Sequence, residues 1–431
     1  MQGLSPELGK LLRQTGFYPD DMDFTTLHNQ FLAQMRIALY GGTASIPMRP
    51  TYLNPFGSRP LDVPVAVAEF TDTEIRTARV NFTEAGAQVV SGECFPIPGD
   101  AYPAPLSDLL YGAAELLEPL LSDCKHIALC VPFPMERTAQ GEGYLVSVPE
   151  YMTVTDFQDV PLRESFLQEL CGRGFSEHKV FLVNSISALQ LGAMTENPDE
   201  GRFLALHWGR TVNTGCAMPH SAVLKLRSGA RELLLMDCCV GGFTAVPFGG
   251  IDLTGDRDSR QPGFDLLNKM VSTDLLGKLY RFSMIRGVEH GLLTFMCGRE
   301  FLSLRRLSLD AVLEFLQEPD GDHVLGNFCR HHEEDLQVAL PVARAVLDRA
   351  AKLVCCAAAS LMSLGGAGGR ASSPAVLAVS GAAFSSPYLR KILEEAFSRF
   401  ALEELGLHCR LYHNPDSVLI GGAAAALMAL H

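Results

Sequence analysis

The feature that most constrains this chain is an alternation of short apolar runs and helical periodicities that occurs twice along its length. Val63 to Phe70 (VPVAVAEF) is apolar at nearly every position, as a strand covered on both faces must be. Thr77 to Phe82 (TARVNF) predicts its hairpin partner, across a turn at Asp72 to Ile75. His126 to Val131 (HIALCV) and Lys179 to Val183 (KVFLV) predict two more buried strands, each followed by helical spacing. A second set predicts strands at Phe203–His207, Ala217–Lys225 and Glu232–Asp237, with Pro374–Ser380 (PAVLAVS) after them. Residues 1–40 read as largely helical, with Phe24, Leu27, Phe31 and Met35 on one face and Gly41-Gly42 as the stop. Leu106–Leu121, the face Phe264, Leu267, Val271, Leu275, Leu279, then Leu340–Leu364 and Pro387–Phe400 predict further helices. Two rounds of strands and helices mean an α/β protein with two mixed sheets, and a cleft between two such lobes is the default ligand site.

The charge balance narrows the partners. A net charge of −14 over 431 residues offers no basic face for a phosphate backbone, which excludes nucleic acid. The longest apolar stretches, Leu353–Gly369 and Val418–Leu430, are too short or too rich in Ala and Gly to span a bilayer. The N-terminal segment lacks the apolar core of a secretory signal, so the twelve cysteines are expected to be reduced thiols of a cytoplasmic protein. The pairs Cys238-Cys239 and Cys355-Cys356 lack metal or redox spacing. Cys329, His331 and His332, with His323 nearby, are read as a solvated charged loop, and no metal is expected.

Seven blocks then set the order of the chain. They are IPMRPTYL (46–53), CVPFPMERTAQGEGYL (130–145), FLVNSISALQLGA (181–193), QPGFDLLNKMVSTDLLGKLYR (261–281), DRAAKL (348–353), SGAAF (380–384) and SVLIGGAAAAL (417–427). In this order they resemble hexokinases, bacterial ones especially, and through them the actin-like ATPases with their ribonuclease H-like lobes. The resemblance covers about nine-tenths of the chain and implies a two-lobed α/β fold with an interlobe cleft. It implies a lead-in of residues 1–62 belonging to the large lobe, a small lobe of 63–186, a large lobe of 187–416, and a C-terminal helix of 417–431 returning to the small lobe. The implied activity is that of a glycolytic sugar kinase: phosphorylation of a hexose such as glucose, with Mg-ATP as the cofactor.

The chemistry that the resemblance calls for is largely replaced. The first phosphate loop, Asp-Leu-Gly-Gly-Thr-Asn-Phe-Arg in the family, aligns with Glu69–Arg76; Thr73 and Arg76 match, but both glycines are gone. Asp72 and Glu74 put negative charge where a triphosphate would lie, and no side chain may intervene where amides approach a phosphate. Ser185 stands at the catalytic base after Asn184, and a hydroxyl accepts no proton near neutral pH without another base. Pro149-Glu150 replaces a Thr-Lys or Ser-Lys pair. The second phosphate loop aligns with Gly209, Arg210, Thr211, Val212 and Asn213, where Arg210 offers a cation for an anion and Asn213 a sugar contact. Cys239 and Asn268 replace the two carboxylates that grip sugar hydroxyls, and Gly381 is kept in the nucleotide-facing turn.

The sequence therefore predicts a substrate set of Asn184, Asn213, Asn268, Cys239, Glu150 and Asp237, and a nucleotide set of Thr73, Arg76, Gly209, Arg210, Thr211 and Gly381. It predicts a catalytically impaired member, a pseudoenzyme that binds a hexose, a sugar phosphate or a protein partner. The alternative is an active sugar kinase with an altered substrate and a displaced base, for which Asp237, Glu150 and Glu136 are the candidates. Trp208, the only tryptophan, is read as packing rather than as a base-stacking platform.

Overall fold

The computed structural model describes residues 4–429; residues 1–3 and 430–431, the outer ends of the first and last predicted segments, lie outside them. Eleven strands in chain order build the two main sheets. They are β1 (Arg49–Pro50), β2 (Val65–Phe70), β3 (Glu74–Thr83), β4 (Gly86–Pro96), β5 (His126–Val131), β6 (Lys179–Asn184), β7 (Phe203–Trp208), β8 (Val212–Pro219), β9 (Leu233–Asp237), β10 (Ala375–Ser380) and β11 (Cys409–Tyr412). The helices that matter most are α1 (Pro6–Thr15), α2 (Phe24–Leu39), α3 (Ser185–Glu196), α4 (Leu266–Val271), α5 (Thr273–Glu289), α6 (Phe295–Ser303), α7 (Leu309–Gln317), α8 (Glu333–Gly365) and α9 (Ser417–Met428).

The small-lobe sheet has the order β6-β5-β2-β3-β4 and the large-lobe sheet β1-β9-β8-β7-β10-β11. Leaving β1 aside, the two share one topology. Each is a three-stranded antiparallel meander whose first strand also pairs with a parallel strand, and that strand with another. The central parallel strands are buried at nearly every position and mostly apolar, as strands covered on both faces are. An α/β fold with two mixed sheets, each in its own lobe, is the one the sequence implied.

Each lobe has its own core, and a third cluster joins them. It draws Val65, Val67 and Ala128 from the small sheet, Phe203, Ala205 and Val376 from the large one, and Ile186, Leu189, Val418 and Ile420 from α3 and α9. These two helices cross closely because the crossing residues are glycines. A Cβ on Gly192 would collide with the Ser417 carbonyl, and one on Gly421 with the Ala188 carbonyl. Among the described residues no helix is long and apolar enough to cross a membrane.

Three local expectations change. The strand expected at Ala217–Lys225 lies earlier, at Val212–Pro219, and the chain turns through His220–Ala222 and Leu224–Leu226; Pro219 has no N–H with which to continue a ladder. The single helix expected from Phe264 breaks at extended Ser272, whose side chain caps the next helix, and Phe264 itself is exposed before α4 begins. Strand β4 is additional to those the sequence predicts: it is exposed at most positions, so it carries no burial pattern.

Candidate functional site: a cleft whose polar groups bind one another

Three turns meet on one side of the cleft, where the sequence placed the nucleotide set: Thr71–Glu74 between β2 and β3, Gly209–Thr211 between β7 and β8, and Gly381 after β10. The first turn is fixed locally, because the Thr71 hydroxyl accepts the N–H groups of Thr73 (3.2 Å) and Glu74 (3.0 Å). That turn aims Asp72 inward. Its carboxylate, 8% exposed, accepts the Arg210 backbone N–H at 2.9 Å, His207 Nε2–H at 3.1 Å and the Tyr151 hydroxyl at 3.3 Å. A Cβ on Gly209 would collide with Asp72 Oδ2, and one on Gly381 with the Trp208 carbonyl, so both glycines are needed for this close approach. Gly381 also has a φ of +104°, which disfavours any other residue.

The charges here are neutralised from within. Burial pushes the Asp72 carboxyl up, but the neighbouring His207, with the Arg210 N–H and the Tyr151 hydroxyl, more than offsets it and holds the carboxyl below its ordinary value. Burial lowers the His207 imidazole, but Asp72 outweighs it and holds it above 6.5, and its Nδ1 meets the Ser380 hydroxyl at 3.1 Å. Arg210 is fully engaged: Nη2 with Asp100 at 2.9 Å, Nε with Asp274 at 2.5 Å, Nη1 with the Asp72 carbonyl at 3.1 Å, and its plane over Tyr151 at 4.0 Å. Thr73 is exposed, and Arg76 is tied to Asp416 (3.0 Å) and Glu69 (3.5 Å). The Thr211 carbonyl closes the second turn by accepting the Gly209 N–H at 2.9 Å. These residues do not fit the phosphates of Mg-ATP, because a buried carboxylate already takes the backbone donor that the second turn presents.

Among the residues expected to meet substrate, Asp237 at the end of β9 is the hub. Its carboxylate accepts Asn184 Nδ2 (2.9 Å), Asn213 Nδ2 (2.7 Å) and the Cys239 N–H (3.1 Å). Burial still raises its pKa above 3.8 against the lowering by the Asn213 bond. Asn184 caps α3 by accepting the Ile186 N–H at 3.1 Å, which puts Ser185 at the first helical position; the Ser185 hydroxyl oxygen is buried with no partner among the described residues. Cys239 sits at φ +52°, its thiol pushed up by burial and by Asp237. Asn268 accepts the Val212 N–H at 2.8 Å and lies against Gly241.

The candidate alternative bases are held elsewhere. Glu150 accepts the Arg260 N–H at 2.6 Å and lines a cavity of about 60 Å³ with Asp252, Asp256 and Lys269. Glu136 forms an ion pair with Arg49. The contacts Asp72–Arg210, Asp72–His207, Glu136–Arg49 and Glu150–Arg260 all cross the cleft, so the groups facing it grip one another. The structure thus unites Asn184, Asn213, Asp237 and Cys239 in one cluster and Gly209, Arg210 and Gly381 in another. His207, Tyr151, Asp100, Asp274 and Arg49 were not foreseen; a polar His207 ending the apolar run FLALHW was the one readable sign. His323 caps its own helix by accepting the Gly326 N–H at 3.1 Å, and Cys329 faces Cys297 at 3.8 Å. Trp208 is fully buried and donates its indole N–H to the Val271 carbonyl at 2.9 Å.

Known proteins place this architecture. A hexokinase from Schistosoma mansoni complexed with glucose superposes with a TM-score of 0.80 at 18% identity, covering 98% of this chain and 99% of that one. Another hexokinase crystal structure gives 0.72 at 16% identity, covering 99% of each chain. A ROK family glucokinase from Streptomyces griseus, in complex with glucose and AMPPNP, gives 0.54 at 13% identity, covering 84% of this chain and 99% of that one. No curated protein matches the sequence. The sequence profile described as Hexokinase matches residues 203–428, just over half of the chain, and on that match the protein belongs to the hexokinase family.

Proposed function

We propose that this hexokinase-family protein binds a hexose or a hexose phosphate in its cleft without transferring phosphate to it, and that it signals through that binding or through a protein partner. The observation that carries the reading is the Asp72 carboxylate bonded to the Arg210 N–H, an internal anion in the place of the nucleotide's. The Ser185 position adds to it. General-base loss alone costs roughly 10²- to 10⁴-fold, and catalytic groups act as a unit, so losing the base together with the phosphate cradle removes turnover. The proposed limits of the small lobe, 63–186, and the large lobe, 187–416, set the cleft between them. Twelve free thiols support a cytoplasmic setting.

A second reading, a working sugar kinase with Asp237 as the displaced base, has one observation in its favour. Asp237 is a buried carboxylate of raised pKa beside Asn184 and Asn213. Three donors occupy its oxygens, which leaves it poorly placed to take a proton.

Calorimetric titration with glucose and with Mg-ATP, singly and together, tests both. The first reading expects heat from the sugar and none from the nucleotide. Nucleotide binding coupled to sugar binding, followed by ADP release, would establish the second.

A further inference from the structure

Residues 304–309 read LRRLSL, and they hold the only adjacent arginine pair in a chain of net charge −14. The segment 304–308 is an irregular link between α6 and α7, with Leu304 at φ −70°, ψ 118° and Ser308 at φ −81°, ψ 160°. Both ends of the link are therefore in extended backbone conformation. Arg305, Arg306 and Ser308 are exposed. Neither arginine makes an ion pair or a side-chain hydrogen bond among the described residues, whereas the cleft arginines are all engaged. The link is anchored from below, since Leu307 is 8% exposed, the Leu304 carbonyl accepts Arg281 Nε at 2.5 Å, and a Cβ on Gly277 of α5 would collide with the Leu307 carbonyl.

We propose that Ser308 is a phosphorylation site for a basophilic serine/threonine protein kinase. Such a kinase recognises its substrate with carboxylates, and two free guanidiniums two and three residues before an exposed hydroxyl are the complementary charge pattern. In the transfer, Ser308 Oγ bonds to the γ-phosphorus of ATP held by that kinase, the bond to ADP breaks, and the hydroxyl proton passes to the kinase's own catalytic carboxylate. The product is accommodated. Ser308 caps α7, its Oγ accepting the Ala311 N–H at 3.2 Å, and a phosphate at that position keeps the capping donor and gains the helix dipole and the two arginines. The site lies outside the cleft and does not rest on the function proposed above.

The test incubates the full chain, folded, with Mg-ATP and the catalytic subunit of cyclic-AMP-dependent protein kinase, and locates the phosphate by peptide mass spectrometry. One phosphate on Ser308 is expected, absent in Ser308→Asn, which keeps the helix cap. Loss of both guanidiniums in the Arg305→Ala/Arg306→Ala variant is expected to slow transfer about a hundredfold. Circular dichroism establishes that the variants fold. No incorporation into the folded chain, incorporation at another serine such as Ser372, or an unchanged rate in the double variant would overturn the proposal.

Discussion

The Asp72 carboxylate and the Gly209 backbone are in such close contact that a methyl group on Gly209 would overlap Asp72 Oδ2. The same oxygen accepts the next backbone N–H, that of Arg210, at 2.9 Å. The small lobe thus inserts a fixed negative charge into the turn of the large lobe, and the charge is held by an imidazole, a phenol and an amide rather than by solvent.

The Asp72–His207 pair makes stability depend on pH. Asp72 is depressed below 3.8, so its contribution is present above that value and is lost as pH falls through the lower folded pKa. His207 is raised above 6.5, so its contribution is complete below 6.5 and is lost as pH rises through the higher folded value. Asp72→Asn is expected to cost about 3 kcal/mol at pH 6. The gap should narrow between pH 6 and pH 9, because the ion pair weakens as pH rises toward the raised folded value of His207. Urea denaturation at the two pH values measures it, and a gap of constant size would rule out the ion pair as its source.

Glu69 works in the opposite direction. Burial raises its carboxyl to about 7, against the lowering by Arg76 and His207, and one of its oxygens has no hydrogen-bond partner among the described residues. The folded state therefore holds a proton that the unfolded state, near 4.5, releases, and stability falls as pH rises from 4.5 through 7. Glu69→Gln is expected to be more stable than the parent at pH 8.5 by about 2 kcal/mol and close to it at pH 4.5. Melting temperatures at both pH values decide it.

Asp237 holds three donors at once. Asp237→Ala leaves Asn184 Nδ2, Asn213 Nδ2 and the Cys239 amide without the acceptor they share. A loss of about 3–5 kcal/mol is expected. In the same variant the heat of glucose binding should disappear, because both asparagines lose their orientation. Retained sugar binding would move the ligand site away from this cluster.

The crossing of α3 and α9 tolerates no added carbon. Gly421→Ala drives a methyl group into the Ala188 carbonyl and is expected to cost about 3 kcal/mol or more. Gly172→Ala, in open space at the end of the helix Leu162–Gly172, is expected to be neutral or stabilising by about 0.5 kcal/mol. Equal melting temperatures for the two variants would contradict the close crossing.

Much of the fold was legible because its parallel strands are buried on both faces, and burial writes itself as uninterrupted apolar runs such as HIALCV and PAVLAVS. Edge strand β4 is exposed, so its residues answer to solvent and show no such run. The departures from the family's pattern at Asp72, Ser185 and Cys239 were visible as single letters. What replaced the lost chemistry was not. Asp72 meets His207 across 135 positions of sequence and Arg210 across 138, and no local pattern encodes a contact between a hairpin turn of one lobe and a strand end of the other. Arg210 read as a free cation because its partners, Asp100 and Asp274, lie on either side of it at distances that only the folded chain closes.

The sole tryptophan gives this cleft its own optical reporter. Trp208 precedes Gly209, its ring is fully buried, and its N–H is fixed to the carbonyl that ends α4. Emission from the native protein therefore comes from one indole in one dry environment, next to the Asp72 contact. Any event that draws the Thr71–Glu74 turn away from Gly209 admits water beside that ring and shifts its spectrum to the red, so opening of the lobes can be followed in unlabelled protein, in real time, by a single wavelength.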